Sequence, residues 1–135
     1  MKIVDFFLKK FNNTNEVLNK FRSEEDTLVT FEQLNTFPIN KTVSIYPEKE
    51  KAILTTRIST NDENLSFRVE MKKGEYWKIH KHDCLETILL YKGKLQDKIS
   101  KKVINRIYPL VIEPFTPHII KALEDSIFYV EFKAP

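Results

Sequence analysis

Apolar positions change their period part-way along the chain. In the first third they recur at helical spacing: Phe7, Leu8 and Phe11, then Val17, Leu18 and Phe21, then Leu28, Phe31 and Leu34. Asn13 followed by Glu16 resembles a capping box, and Ser23 followed by Glu24, Glu25 and Asp26 resembles a capped, acidic first turn. These signals predict a helical N-terminal extension over residues 1–36, ending before Pro38. From about Thr42 the period becomes two. Residues 42–46, 52–58, 65–71, 75–80, 87–93, 103–113, 118–122 and 126–132 are rich in β-branched and aromatic residues and predict strands. Short polar turns separate them, and no helical pattern intervenes. Residues 37–135 are therefore expected to form one all-β domain, an antiparallel sandwich or barrel.

Strand alternation assigns faces. Counted back from His80, Tyr76 and Lys78 point inward while Trp77 and Ile79 point outward. Counted forward from Glu86, Ile88 and Leu90 point inward while Leu89 and Tyr91 point outward. An outward strip of Trp77, Ile79, Leu89 and Tyr91 needs a cover, supplied by residues 1–36 or by a second subunit.

Composition narrows the class without naming the chemistry. A chain of 135 residues suits one domain, and ten Phe, five Tyr and one Trp supply much of its core volume. The 22 Lys and Arg stand against 19 Asp and Glu, mixed along the chain, for a net charge of +3. That is a solvated surface and gives no nucleic-acid footprint; the densest basic run, Lys98 to Arg106, reads as an exposed loop and strand edge. The single cysteine, Cys84, forms no internal disulfide and reads as a small buried hydrophobe. Asp5 interrupts the apolar start, and no apolar run reaches the roughly 20 residues that span a bilayer. The expectation is a cytoplasmic protein with no membrane partner.

The chemistry concentrates in the three histidines. His80 and His82 are two apart, which in a strand puts both on one face with α-carbons roughly 6 to 7 Å apart, close enough for two imidazoles to meet on one ion. In a helix they would sit on nearly opposite sides. The Asp83-Cys84 dipeptide can start a tight turn that brings Glu86 back beside them, and a carboxylate lowers the cost of burying a dication. His118 follows a proline-containing turn.

These residues carry a family resemblance. Gly74, five residues, His80, Lys81, His82, three residues, Glu86, six residues and Gly93 match the first cupin motif at every defined position. The second motif is degenerate: Glu113, Phe115 and Ala122 stand where its proline, glycine and asparagine fall, with His118 in place. Without that glycine, Phe115 is expected to take an ordinary backbone conformation or a different turn. The resemblance covers roughly residues 50–134 and implies a double-stranded β-helix of jelly-roll type. It further implies one divalent metal ion (zinc, iron, nickel or manganese) on His80, His82, Glu86 and His118, and a homodimer. Cupins with this ligand set include dioxygenases, isomerases and decarboxylases, so the expected function is a metal-dependent enzyme acting on a small polar molecule. The alternative is a non-catalytic module that binds a small molecule or metal, as in sensory members of the superfamily. A wide chamber opening on the ion favours the enzyme, and a chamber plugged by side chains favours the module.

Overall fold

A computed structural model describes residues 27–44, 53–58 and 63–135. The helices expected before residue 27 lie outside the described residues. Eleven strands follow in chain order among those described: β1 Thr27–Leu28, β2 Thr42–Ser44, β3 Leu54–Arg57, β4 Asn64–Met71, β5 His80–Lys81, β6 Leu85–Lys92, β7 Leu95–Asp97, β8 Val103–Ile104, β9 Leu110–Ile112, β10 Ile120–Ala122 and β11 Ser126–Lys133. One helical turn, α1, spans Phe31–Leu34. The main sheet has the order β2-β3-β4-β11-β6-β9, a second sheet runs β10-β7-β8, and β1 pairs with β5.

The longest strands make the frame because their alternation is cleanest. β4, β6 and β11 each have eight residues, and β11 lies antiparallel between the other two. Rows of side chains cross these strands on the inner face. Val130 sits between Phe67 and Ile88, and Phe128 between Val69 and Leu90. Each fully buried side chain of this kind stabilises the fold by about 1.5–3 kcal/mol. Ile120, Leu95 and Ile104 of the second sheet belong to the same buried cluster, so the two sheets enclose one core. Both motif glycines have positive φ, and at Gly93 a Cβ would run into the backbone of Asp125 and Ser126 at the start of β11.

Three expectations change. The helix expected through Leu28, Phe31 and Leu34 is confined to α1, because Thr27–Leu28 instead pairs in parallel with His80–Lys81. The cap is Thr30: its hydroxyl accepts from the Gln33 N–H, and the Gln33 side chain accepts from the Thr30 N–H. The strand expected over 103–113 is two strands, β8 and β9, interrupted at Asn105–Pro109. β7, which the alternation did not single out, is a short partner for both β8 and β10.

Candidate metal centre

Local pairing explains how three histidines meet. His80 and His118 are direct antiparallel partners, exchanging backbone hydrogen bonds at 3.3 and 3.0 Å, with ring centroids 4.3 Å apart. His82, two residues beyond His80, brings its ring to 4.9 Å from that of His80. The turn at Asp83-Cys84 then delivers Glu86 into β6, opposite Phe132. All four side chains are buried, at 1–3% exposure.

Each imidazole is oriented by a backbone carbonyl. His80 Nδ1 lies 2.7 Å from the Lys78 oxygen, His82 Nδ1 2.7 Å from the Val29 oxygen, and His118 Nδ1 2.9 Å from the Thr116 oxygen. A carbonyl oxygen only accepts, so Nδ1 carries the proton in every ring and a neutral imidazole offers a bare lone pair at Nε2. One ligand atom from each of His80, His82 and His118 lies within 4.8 Å of the others. Glu86 Oε1 sits 3.3 Å from Nε2 of both His82 and His118. These are ion-pair distances, yet neither Nε2 has a hydrogen-bond partner. Two lone-pair atoms facing each other this closely in a dry interior repel, unless a cation or a proton lies between them. A tetrahedral shell of radius about 2.0–2.1 Å has ligand-to-ligand edges of about 3.3 Å, which the two Glu86 contacts match, while the three imidazole atoms, within 4.8 Å of one another, form a donor set of the type that suits a small dication.

Burial pushes the Glu86 carboxyl up, but attraction to His118 and His82 outweighs it and holds the group well below the usual carboxylate range. Burial lowers the His118 imidazole, and Glu86 more than reverses that, so it rises. His80 is driven well below its ordinary value by burial, then by the other two imidazoles. His80, Glu86 and His118 thus titrate as coupled groups.

Above the imidazoles lies a cavity of ≈ 20 Å³, room for about one water molecule. Its apolar walls include Leu34, Phe37, Phe67, Val69, Val130 and Phe132. Leu34 and Phe37 belong to the segment 27–37, which closes over the site. His82 is tied to Val29, the Phe31 N–H donates to Asp83 Oδ1 at 2.7 Å, and buried Arg57 donates to the Asn35 and Phe37 oxygens at 2.8 and 3.0 Å and to Asn35 Oδ1 at 2.7 Å. No pattern in the sequence marked Val29 or Arg57 as neighbours of the site, because their roles depend on contacts 20–53 residues apart.

Trp77 corrects an expectation. It was assigned outward, but it is buried at 6% exposure, lines the cavity, and packs edge-on at 6.2 Å from His80 and 5.9 Å from Phe128. Tyr76, assigned inward, is 44% exposed. The cause is one extra residue: Tyr76 bridges Lys121 while His80 bridges His118, so four steps on one strand oppose three on the other. Such a bulge flips the parity, and Trp77 joins His80 on the inner side. Leu89 and Tyr91 face outward as expected. Phe115 also differs from expectation, since it keeps the left-handed backbone of the missing glycine, at φ 62°. Its N–H donates to the His82 oxygen at 2.7 Å, which requires that turn whatever the side chain. Cys84 is buried and stands outside the histidine cluster.

Comparison with solved structures settles the architecture. The chain aligns over 70% of its length with 88% of KdgF from Halomonas sp., at TM-score 0.61 and 17% identity. It aligns over 62% of its length with 77% of an RmlC-like cupin from Shewanella frigidimarina, at TM-score 0.56 and 15% identity. The fold is that of the cupins. An acetylacetone dioxygenase from Acinetobacter johnsonii shares the cupin barrel as well, with 72% of this chain on 70% of that one, TM-score 0.59 and 14% identity. No family model matches the sequence, and no curated protein matches it. Among the described residues no helix is long and apolar enough to cross a membrane.

Proposed function

We propose that this cupin holds one divalent transition metal through His80, His82, His118 and Glu86 and presents it, as a metal-dependent enzyme, to a small molecule in the barrel. The observation that supports this most strongly is the set of fixed tautomers: three Nδ1 atoms committed to carbonyls, with the Nε2 atoms of His82 and His118 buried and unpartnered beside a carboxylate. Such an ion supplies Lewis acidity, a more acidic bound water or, for iron, dioxygen chemistry. The chain's own part is to orient the imidazoles, offset charge with Glu86 and exclude water with the cover formed by Leu34 and Phe37. Among the described residues, the cavity lining has no titratable side chain outside the proposed ligand set, so no separate general base stands there. The dioxygenase among the similar structures makes dioxygen chemistry one reaction to assay.

A second reading has its own support. The cavity is nearly filled, which favours a non-catalytic module that senses a metal or small ligand. Leu89 and Tyr91, at 41% and 61% exposure on one outer face, favour a homodimer, to be checked by sedimentation.

Elemental analysis tests the metal. The purified chain is expected to carry one equivalent of a transition metal, and His80→Ala with His82→Ala to carry none while keeping its β-sheet circular dichroism. Equal metal in variant and parent overturns the assignment. Turnover of a candidate substrate by the loaded chain then separates enzyme from module.

A further inference from the structure

The cavity wall and the charge of the site together restrict what the metal is presented to. Three neutral imidazoles and the Glu86 carboxylate around a dication leave one positive charge inside the barrel. Burying that charge is costly, and a ligand head with one negative charge removes the cost. Beyond the proposed ligands, the wall offers a ligand very little polarity. Leu34, Phe37, Phe67, Val69, Val130 and Phe132 are apolar, Trp77 adds an aromatic face with one indole N–H, and Thr55, at 5% exposure, has a buried hydroxyl with no hydrogen-bond partner among the described residues. A sugar acid or a nucleotide would leave several hydroxyls or amides dry against such walls, each losing its water without replacement. An alkyl or aryl body loses nothing there and gains by burial.

The size of the cavity says how such a body enters. A volume of ≈ 20 Å³ holds no more than a water, so any organic ligand must displace part of the wall. Phe67, Val69, Val130 and Phe132 stand on β4 and β11, paired along their full length. Leu34 and Phe37 stand on a single helical turn and its exit, held by their packing in the core, by the two-residue pairing of β1 with β5, by Arg57, which donates to Asn35 and Phe37, and by Asp83, which accepts from Phe31. Of these walls, the cover is the one that stands outside the eight-residue ladder of β4 and β11.

We propose that the barrel takes a small monoanionic molecule with an apolar body, an alkyl or aryl carboxylate or enolate, its head toward the imidazoles and its body against Leu34 and Phe37, which move to admit it. This rests on the metal reading above and narrows the small polar molecule expected from the sequence to an amphiphilic one. The Thr55 hydroxyl is placed to take one further polar atom of the ligand.

The test uses the full chain loaded with cobalt(II), first assayed for metal content and then titrated with acetate, hexanoate and gluconate while the visible cobalt bands are followed. Hexanoate is expected to bind at least tenfold more tightly than acetate, from a contribution of about fourfold per buried methylene. Gluconate, with the same six carbons carrying hydroxyls, is expected to bind no better than acetate. Leu34→Ala enlarges the chamber and is expected to tighten hexanoate but not acetate. Gluconate binding as tightly as hexanoate, affinity flat along the series, or no acid perturbing the bands each overturns the proposed ligand class. A chain that takes up no cobalt instead overturns the metal reading, and is seen before any acid is added.

Discussion

At Phe115 a bulky side chain occupies a left-handed backbone that a glycine would take freely. The turn is imposed by the hydrogen bond to His82, and the ring is 59% exposed, so it returns little burial energy for the strain. Phe115→Gly is therefore expected to stabilise the protein by about 1 kcal/mol, measured as a higher urea midpoint at unchanged slope. Glu86 makes the opposite case, a residue whose state depends on its surroundings. Its folded carboxyl lies below the unfolded value near 4.3, so its contribution in the metal-free protein is complete above that value and is lost as pH falls toward the folded one. His118, raised, contributes below about 6.5 and loses its contribution as pH rises through its folded value. Denaturation of metal-free chain from pH 5 to 3 is expected to show stability falling with acid, and Glu86→Gln to flatten that limb. That His80 and His82 share a face was legible in the sequence because a strand has a fixed period, and the return of Glu86 because a turn could be read at Asp83-Cys84. The tautomers were not, because each depends on which carbonyl lies nearby.

Among the elements, the segment 27–37 shows how little of its own structure a short stretch specifies. The apolar spacing of Leu28, Phe31 and Leu34 suits a helix, yet only one turn forms. A lone turn gains one or two hydrogen bonds, which does not offset its nucleation cost, whereas pairing β1 with β5 satisfies backbone groups beside the histidine cluster. Arg57 then clamps the exit with three hydrogen bonds. Arg57→Ala is expected to destabilise by about 3 kcal/mol or less and to speed native-state proteolysis within 27–37. Amide exchange in β4 and β11 should stay slow, since their ladder does not include the clamp. If the cover and the ladder open together, the cover is no separate unit. The expected strand at 75–80 failed for a related reason: only pairing with β10 reveals the extra residue that turns Trp77 inward.

For the whole molecule, one core joins both sheets, so loss of a central side chain is felt throughout. Phe128→Ala, at the middle strand and against Trp77, is expected to cost about 3–5 kcal/mol, read from chemical denaturation. Cys84 reports the same event. Burial, then Asp83 and Glu86, push its thiol up to about 12, so alkylation at pH 8 is expected to proceed only through opening and to accelerate in Phe128→Ala. The sequence by itself determined the all-β class, most strands of the frame and the histidines that meet in the barrel, because period-two alternation and motif spacing are local properties of an extended chain. Only the tertiary structure decided that Trp77 turns inward, that a cover closes the barrel, that Phe115 keeps a glycine's turn, and that each histidine offers Nε2. Those outcomes depend on pairing register and on carbonyls far away in the chain, and neither is encoded in any short stretch of it.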